Sequence, residues 1–137
     1  MKKMLKNKKG FTLIELLAVI VVLAIIMVIA TQQVTKAIDT ARSSSFDSSY
    51  KMIVKEIKNK IAEKQLGHSV VIECDDTAAD DDDSNDCSKV YDISKDDYTM
   101  KVTEEKNDKG KITGYKITLD GKGKFANQEQ KSATIPY

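Results

Sequence analysis

From Leu16 to Ala30 the chain reads LLAVIVVLAIIMVIA, an unbroken apolar run without a charge. With the five residues Phe11–Glu15 in front, it reaches about the ~20 residues that a helix needs to cross a ~30 Å hydrocarbon layer. After Gln33 the continuous pattern becomes periodic. Val34, Ile38, Ala41, Phe46, Tyr50, Ile53, Ile57 and Ile61 are mostly three or four apart, with Lys, Arg, Asp and Glu between them. That stripe predicts an amphipathic helix, and Leu66-Gly67 predicts its end, because glycine accepts the left-handed turn that closes helices. A single helix over 11–66 would be roughly 84 Å long at ~1.5 Å per residue. Ser43-Ser44-Ser45 is its expected weak point.

Past Gly67 the period falls to two. Tyr98-Met100-Val102 alternates with Thr99-Lys101-Thr103, and Tyr115-Ile117-Leu119 alternates with Lys116-Thr118. Both are patterns of half-buried strands. The polar segment 104–111 between them carries Asn-Asp and Gly turn chemistry, so the pair predicts a β-hairpin laid on residues 46–61. Val70-Val71-Ile72 and Ala133-Thr134-Ile135 are candidates for further strands. The fold class expected is α+β, a long N-terminal helix packed against a small antiparallel sheet. The organisation expected is a basic tip at 1–10, an apolar helical half at 11–33, an amphipathic half at 34–66 and a β head at 67–137.

The charges are segregated along the same lines. Over 137 residues, 22 Lys+Arg nearly balance 21 Asp+Glu. Five lysines and no acid fall in residues 1–10, whereas 67–137 holds 16 acids against 10 bases. Nucleic-acid binding wants a clustered basic surface, which an acidic head does not offer. There is one His and there are two Cys, too few for most metallo-hydrolase or Cys–His chemistries. His68 has no second imidazole and reads as a surface loop residue. Asp120-Gly121-Lys122-Gly123-Lys124 lacks the spacing of a phosphate loop and reads as a tight turn. The serine triplet has no base to activate it. No catalytic constellation and no cofactor are expected.

Five lysines before the apolar run predict a cytoplasmic tip with the remainder crossing the membrane. The run is long for a signal peptide, and no small-x-small cleavage site follows Ala30. A plain anchor would explain everything except Glu15, whose charge at that depth costs on the order of 2.5–3.5 kcal/mol on insertion scales. A cut between Gly10 and Phe11 would create an ammonium about one helical turn from that carboxylate. In a stack of identical helices, each such amine could neutralise a neighbour's Glu15.

Lys-Gly-Phe-Thr-Leu-Ile-Glu followed by the apolar run resembles the class III leader of type IV pilins and pseudopilins. The resemblance covers residues 6–40. It implies that a prepilin peptidase cuts after Gly10 and methylates the new amine of Phe11, and that Glu15 is the assembly carboxylate. It also implies a homo-oligomeric helical filament, raised from the membrane by an assembly platform and an ATPase motor. Many Gram-negative pilins kink this helix with proline. Here Pro136 is the first proline, and Thr31-Gln32-Gln33 is the polar break available instead.

Cys74 and Cys87 bracket twelve residues, among them Asp75, Asp76, Asp80, Asp81, Asp82, Asp83 and Asp86. If the head is exported, these thiols meet a disulfide-permissive compartment. Closing such a loop would contribute roughly 3 kcal/mol on the chain-entropy model. The aspartates read first as a solvated acidic loop. A Ca²⁺ site is the alternative, with Asp80, Asp81, Asp82 and Asp83 as weak candidates, although neither the spacing nor the glycine of an EF-hand is present. The function expected is a structural subunit of a type IV pilus, held in the membrane and then in an extracellular fibre that serves adhesion or motility. The alternatives are a pseudopilin of a secretion or DNA-uptake apparatus, and a single-pass anchor for a small binding domain.

Overall fold

The computed structural model describes residues 10–77 and 85–137. Its first element is a 53-residue helix, α1 (Leu13–Gln65). No proline or glycine interrupts that span, and the serine triplet continues it without a break. Thr31 and Thr35 donate their hydroxyls back to the carbonyls of Met27 and Thr31, at 2.6 and 3.0 Å. Polar groups in this stretch are thus satisfied by the helix itself. The helix closes at the expected place. Gly67 takes a φ of 89°, its amide donates to Lys64, and the His68 amide reaches back to Glu63 at 3.1 Å. This is the paired hydrogen-bond pattern of a Schellman stop.

The chain falls into two units, Met1–Asp39 and Thr40–Tyr137. In the first, every described residue is solvent-exposed, and exposure continues to Ser45. The second holds a four-stranded antiparallel sheet of β1 (Cys74–Asp75), β2 (Tyr98–Lys106), β3 (Ile112–Gly121) and β4 (Lys131–Pro136), in sequence order. The fold is α+β with a long N-terminal helix.

Alternation sets which sheet face is covered. Tyr98, Met100 and Val102 on β2 point the same way as Tyr115, Ile117 and Leu119 on β3 and Ile135 on β4, and all are buried. The register places Met100 opposite Leu119 and Val102 opposite Ile117, so cross-strand pairs build the layer. Phe46, Ile53, Ile57 and Ile61 of α1 belong to the same core. The Phe46, Tyr98 and Phe125 rings meet at centroid distances of 5.2–5.9 Å.

Three expectations need correction. The strands run further into segment 104–111 than expected, and the turn is confined to 107–111. There the Asn107 side chain accepts the amides of Lys109 and Lys111 at 3.0 and 2.9 Å. Val70-Val71-Ile72 is no strand. Val71 is exposed while Ile72 is buried, and the Ile72 carbonyl is taken by the Tyr91 hydroxyl. Pairing with β2 begins only at Cys74, opposite Val102. Third, a short helix α2 (Cys87–Tyr91) stands where the hydrophobic pattern predicts no element. Asp86 caps it, accepting the Ser88 amide at 2.9 Å.

The glycines of the segment Asp120–Lys124 are there for space. A Cβ on Gly121 would lie 2.2 Å from the carbonyl oxygen of Phe125, and Gly123 has a φ of 50°. That turn seats Phe125 in the core. Gly121→Ala is therefore expected to cost about 2 kcal/mol or more, lowering the melting temperature by roughly 10 °C. Thermal circular dichroism of the detergent-solubilised chain reads this directly.

Cys74 and Cys87 are joined in a disulfide with Cα atoms 5.0 Å apart. Around it the acidic segment departs from a uniformly solvated loop. The two oxygens of Asp76 accept the amides of Cys87 and Met100, both at 3.0 Å. Asp75 pairs with Lys101 at 2.6 Å, and Asp86 pairs with Lys95. Three of the seven aspartates thus serve as acceptors that tie β1, α2 and β2 together. The candidate metal ligands Asp80, Asp81, Asp82 and Asp83 lie outside the described residues.

These pairs give the fold a pH dependence of defined sign. The Lys95 ammonium, helped by the Ser88 hydroxyl and amide, holds the Asp86 carboxyl down to about 2. Burial pushes Asp75 up, but the Lys101 ion pair and the Thr77 hydrogen bonds outweigh it and leave it lowered. A carboxyl whose folded pKa lies below its unfolded value of about 3.9 stabilises the fold above that value. The contribution disappears as pH falls towards 2. The melting temperature should hold steady above about pH 4 and drop by several degrees between pH 4 and 2. Asp86→Asn should flatten that drop while keeping a side chain able to cap α2.

Candidate assembly site at the start of the helix

Thr12 and Glu15 form a reciprocal cap. The Thr12 amide donates to Glu15 Oε2 at 2.8 Å and its hydroxyl to the same oxygen at 2.9 Å. The Glu15 amide donates to Thr12 Oγ1 at 3.3 Å. The Leu16 amide reaches the Thr12 carbonyl at 3.2 Å. Thr-x-x-Glu ahead of an apolar run is the capping-box signature, in which each side chain satisfies an amide that helix geometry leaves unpaired.

This changes the reading of Glu15 in two ways. First, the carboxylate has a local use, so even a lone chain has a reason to carry it. Second, the helix starts at Leu13 rather than Phe11. Thr12 is the cap and Phe11 precedes it. The signal for the cap lies in the four residues Thr12-Leu13-Ile14-Glu15, where the burial cost of the acid obscures it.

The cap engages one carboxylate oxygen only. Both Thr12 donors converge on Oε2, and Oε1 accepts no hydrogen bond among the described residues. A carboxylate has about four lone-pair positions. Glu15 can therefore hold the helix start and still offer an acceptor to a cation from elsewhere. Around it the surface is apolar, with Phe11 86%, Leu13 88% and Ile14 71% exposed. From Leu16 to Ile29 every large apolar side chain is at least half exposed, far beyond the patch that a soluble monomer normally shows to water. The helix is long and apolar enough to cross a membrane.

A family model described as the prokaryotic N-terminal methylation motif matches residues 5–31. The chain carries the class III leader of type IV pilins. The match includes Gly10, Phe11, Thr12 and Glu15 and ends before the β-bearing part of the chain begins. Searches of curated proteins and of solved structures find no match. The leader indicates a member of the pilin and pseudopilin class, points to a structural subunit rather than an enzyme family, and implies processing by a prepilin peptidase. Together with the apolar helix it suits membrane anchoring.

Proposed function

We propose that this chain is a pilin that polymerises into a type IV pilus. The peptidase cuts between Gly10 and Phe11, the new Phe11 amine is methylated, and that amine meets Glu15 of a neighbouring copy. The observation that carries this reading is the joint presence of the leader and a helical surface with no apolar cover in the single chain. In the membrane, lipid covers that surface. Outside it, only a bundle of like helices supplies an equivalent cover, and burial at ~0.8 kcal/mol per CH₂ is sufficient to hold a filament without covalent links. The unused Glu15 oxygen supports a second role for the capping carboxylate.

In this reading residues 1–10 are removed, 11–33 form the filament core, and the C-terminal part of the chain faces outward. The assembly platform and motor act on the membrane-held subunit, and the fibre is extracellular. Expression of the full chain with a prepilin peptidase and assembly machinery tests the proposal. The expected result is a mature mass beginning at methylated Phe11 and long filaments by electron microscopy. An intact Met1, or a mature terminus elsewhere, would overturn it. Correctly processed subunits that form only short, envelope-bound assemblies would replace the pilus with a pseudopilin.

A further inference from the structure

The outer surface of α1 between Ser49 and Glu63 carries two unpaired charge patches. Lys51, Lys55 and Lys58 recur at spacings of four and three and are all exposed. They fall within about 60° of one another around the axis, on the side away from Phe46, Ile53 and Ile57. Six other lysines, among them Lys64, Lys101 and Lys131, hold a carboxylate partner within 4.0 Å. Among the described residues, these three have none. Like charges at this spacing oppose the helix that bears them, so the lone chain carries a repulsion that a partner would relieve.

The second patch is a groove of about 190 Å³ beside the same helix. Met52, Ile53, Ile93 and Tyr98 line its apolar part, and Glu56 and Asp92 supply its charge. Met52 is 72% exposed, and neither Glu56 nor Asp92 has an ion-pair partner among the described residues. A slot with apolar walls and two carboxylates fits one kind of side chain especially well. A lysine lays its methylene stem along the walls and brings its ammonium to the acids. Glu56 lies about 130° round the helix from the centre of the lysine stripe. The two patches therefore point in different directions around the helix.

We propose that copies of this chain dock through the two patches, the Lys51/Lys55/Lys58 stripe of one entering the Glu56/Asp92 groove of the next. The proposal rests on the polymerisation reading and specifies its head contact. Because the surfaces differ, the contact is heterologous. A contact of this kind extends into an open helical polymer where its rotation does not close a ring, as the polymerisation reading requires.

Filaments grown from an equal mixture of light- and heavy-nitrogen chains, treated with a zero-length carbodiimide, test the contact. Mixed-isotope peptides linking Lys51, Lys55 or Lys58 to Glu56 or Asp92 are the expected product. Filaments whose mixed-isotope links join these lysines only to other carboxylates would overturn the docking while leaving the pilus reading standing. Processed chains that never form filaments would overturn both. Charge reversal gives an independent readout. Lys51→Glu/Lys55→Glu/Lys58→Glu and Glu56→Lys/Asp92→Lys should each lower filament yield about tenfold without changing the mature terminus. Their combination should recover most of it. Normal yield from either set, or no recovery from the combination, would count against the pairing.

Discussion

Replacing Gly10 by a bulky residue such as Trp should leave the chain uncut, with residues 1–10 still attached, held in the membrane, with filaments absent. In the proposed processing, the peptidase must bring the bond between residues 10 and 11 to its catalytic groups. Glycine imposes no side chain on that approach. Among the described residues a Cβ at Gly10 would meet nothing within 4 Å, so they offer no resistance to a larger residue there. Such a residue leaves the β-bearing unit untouched and acts on processing alone. Gly10→Ala adds one methyl and should be partly processed. Mass spectrometry of the membrane fraction separates the outcomes. Mature-length filaments from Gly10→Trp would remove the cleavage assignment, because a bond that tolerates indole at that position is not being selected through Gly10.

How much of the fold is legible in residues alone varies with the kind of signal. Strong periodicity carries well. The helix stops where Gly67 allows, the runs Tyr98–Thr103, Tyr115–Leu119 and Ala133–Ile135 fall within β2, β3 and β4, and the two cysteines are bonded. Signals that depend on a distant partner do not carry. Val70-Val71-Ile72 has good strand residues, but the Tyr91 hydroxyl, nineteen positions from Ile72, takes the Ile72 carbonyl. Sequence spacing gives no hint of that bond. Asp75, Asp76 and Asp86 look like members of one repelling cluster. Each has a different partner brought by the fold, whether Lys101, the Cys87 and Met100 amides, or Lys95. Composition shows that acids are adjacent, and only tertiary structure shows which of them face donors.

The candidate site reverses that lesson. The leader is legible because it is a local word, and Thr12 belongs to it in plain view. The cap is equally local, and four residues suffice to read it. Weighing Glu15 only as a membrane burial problem hides this shorter-range role. The cap leaves room for the proposed assembly role, because it engages Oε2 alone.

Glu15→Ala should reduce filament yield by more than tenfold while insertion and maturation remain intact. The substitution has two physical consequences that can be separated. It removes the capping box, which costs about 1 kcal/mol of helix-start stability, and it removes the acceptor offered to a neighbouring amine. Thr12→Ala removes the cap while keeping the carboxylate. If capping were the whole role, Thr12→Ala and Glu15→Ala would lower yield equally. If Glu15 also pairs with the Phe11 amine of a neighbour, Thr12→Ala should cost a few-fold and Glu15→Ala far more. Glu15→Gln sharpens the contrast, since its amide oxygen still accepts the Thr12 donors but carries no charge. It should restore the helix start and leave assembly poor. In lipid the acid is opposed on the order of 2.5–3.5 kcal/mol on insertion scales, so Glu15→Gln should also hold the mature subunit more firmly in the membrane. Filaments at normal yield from Glu15→Gln would show that charge is not what joins the copies.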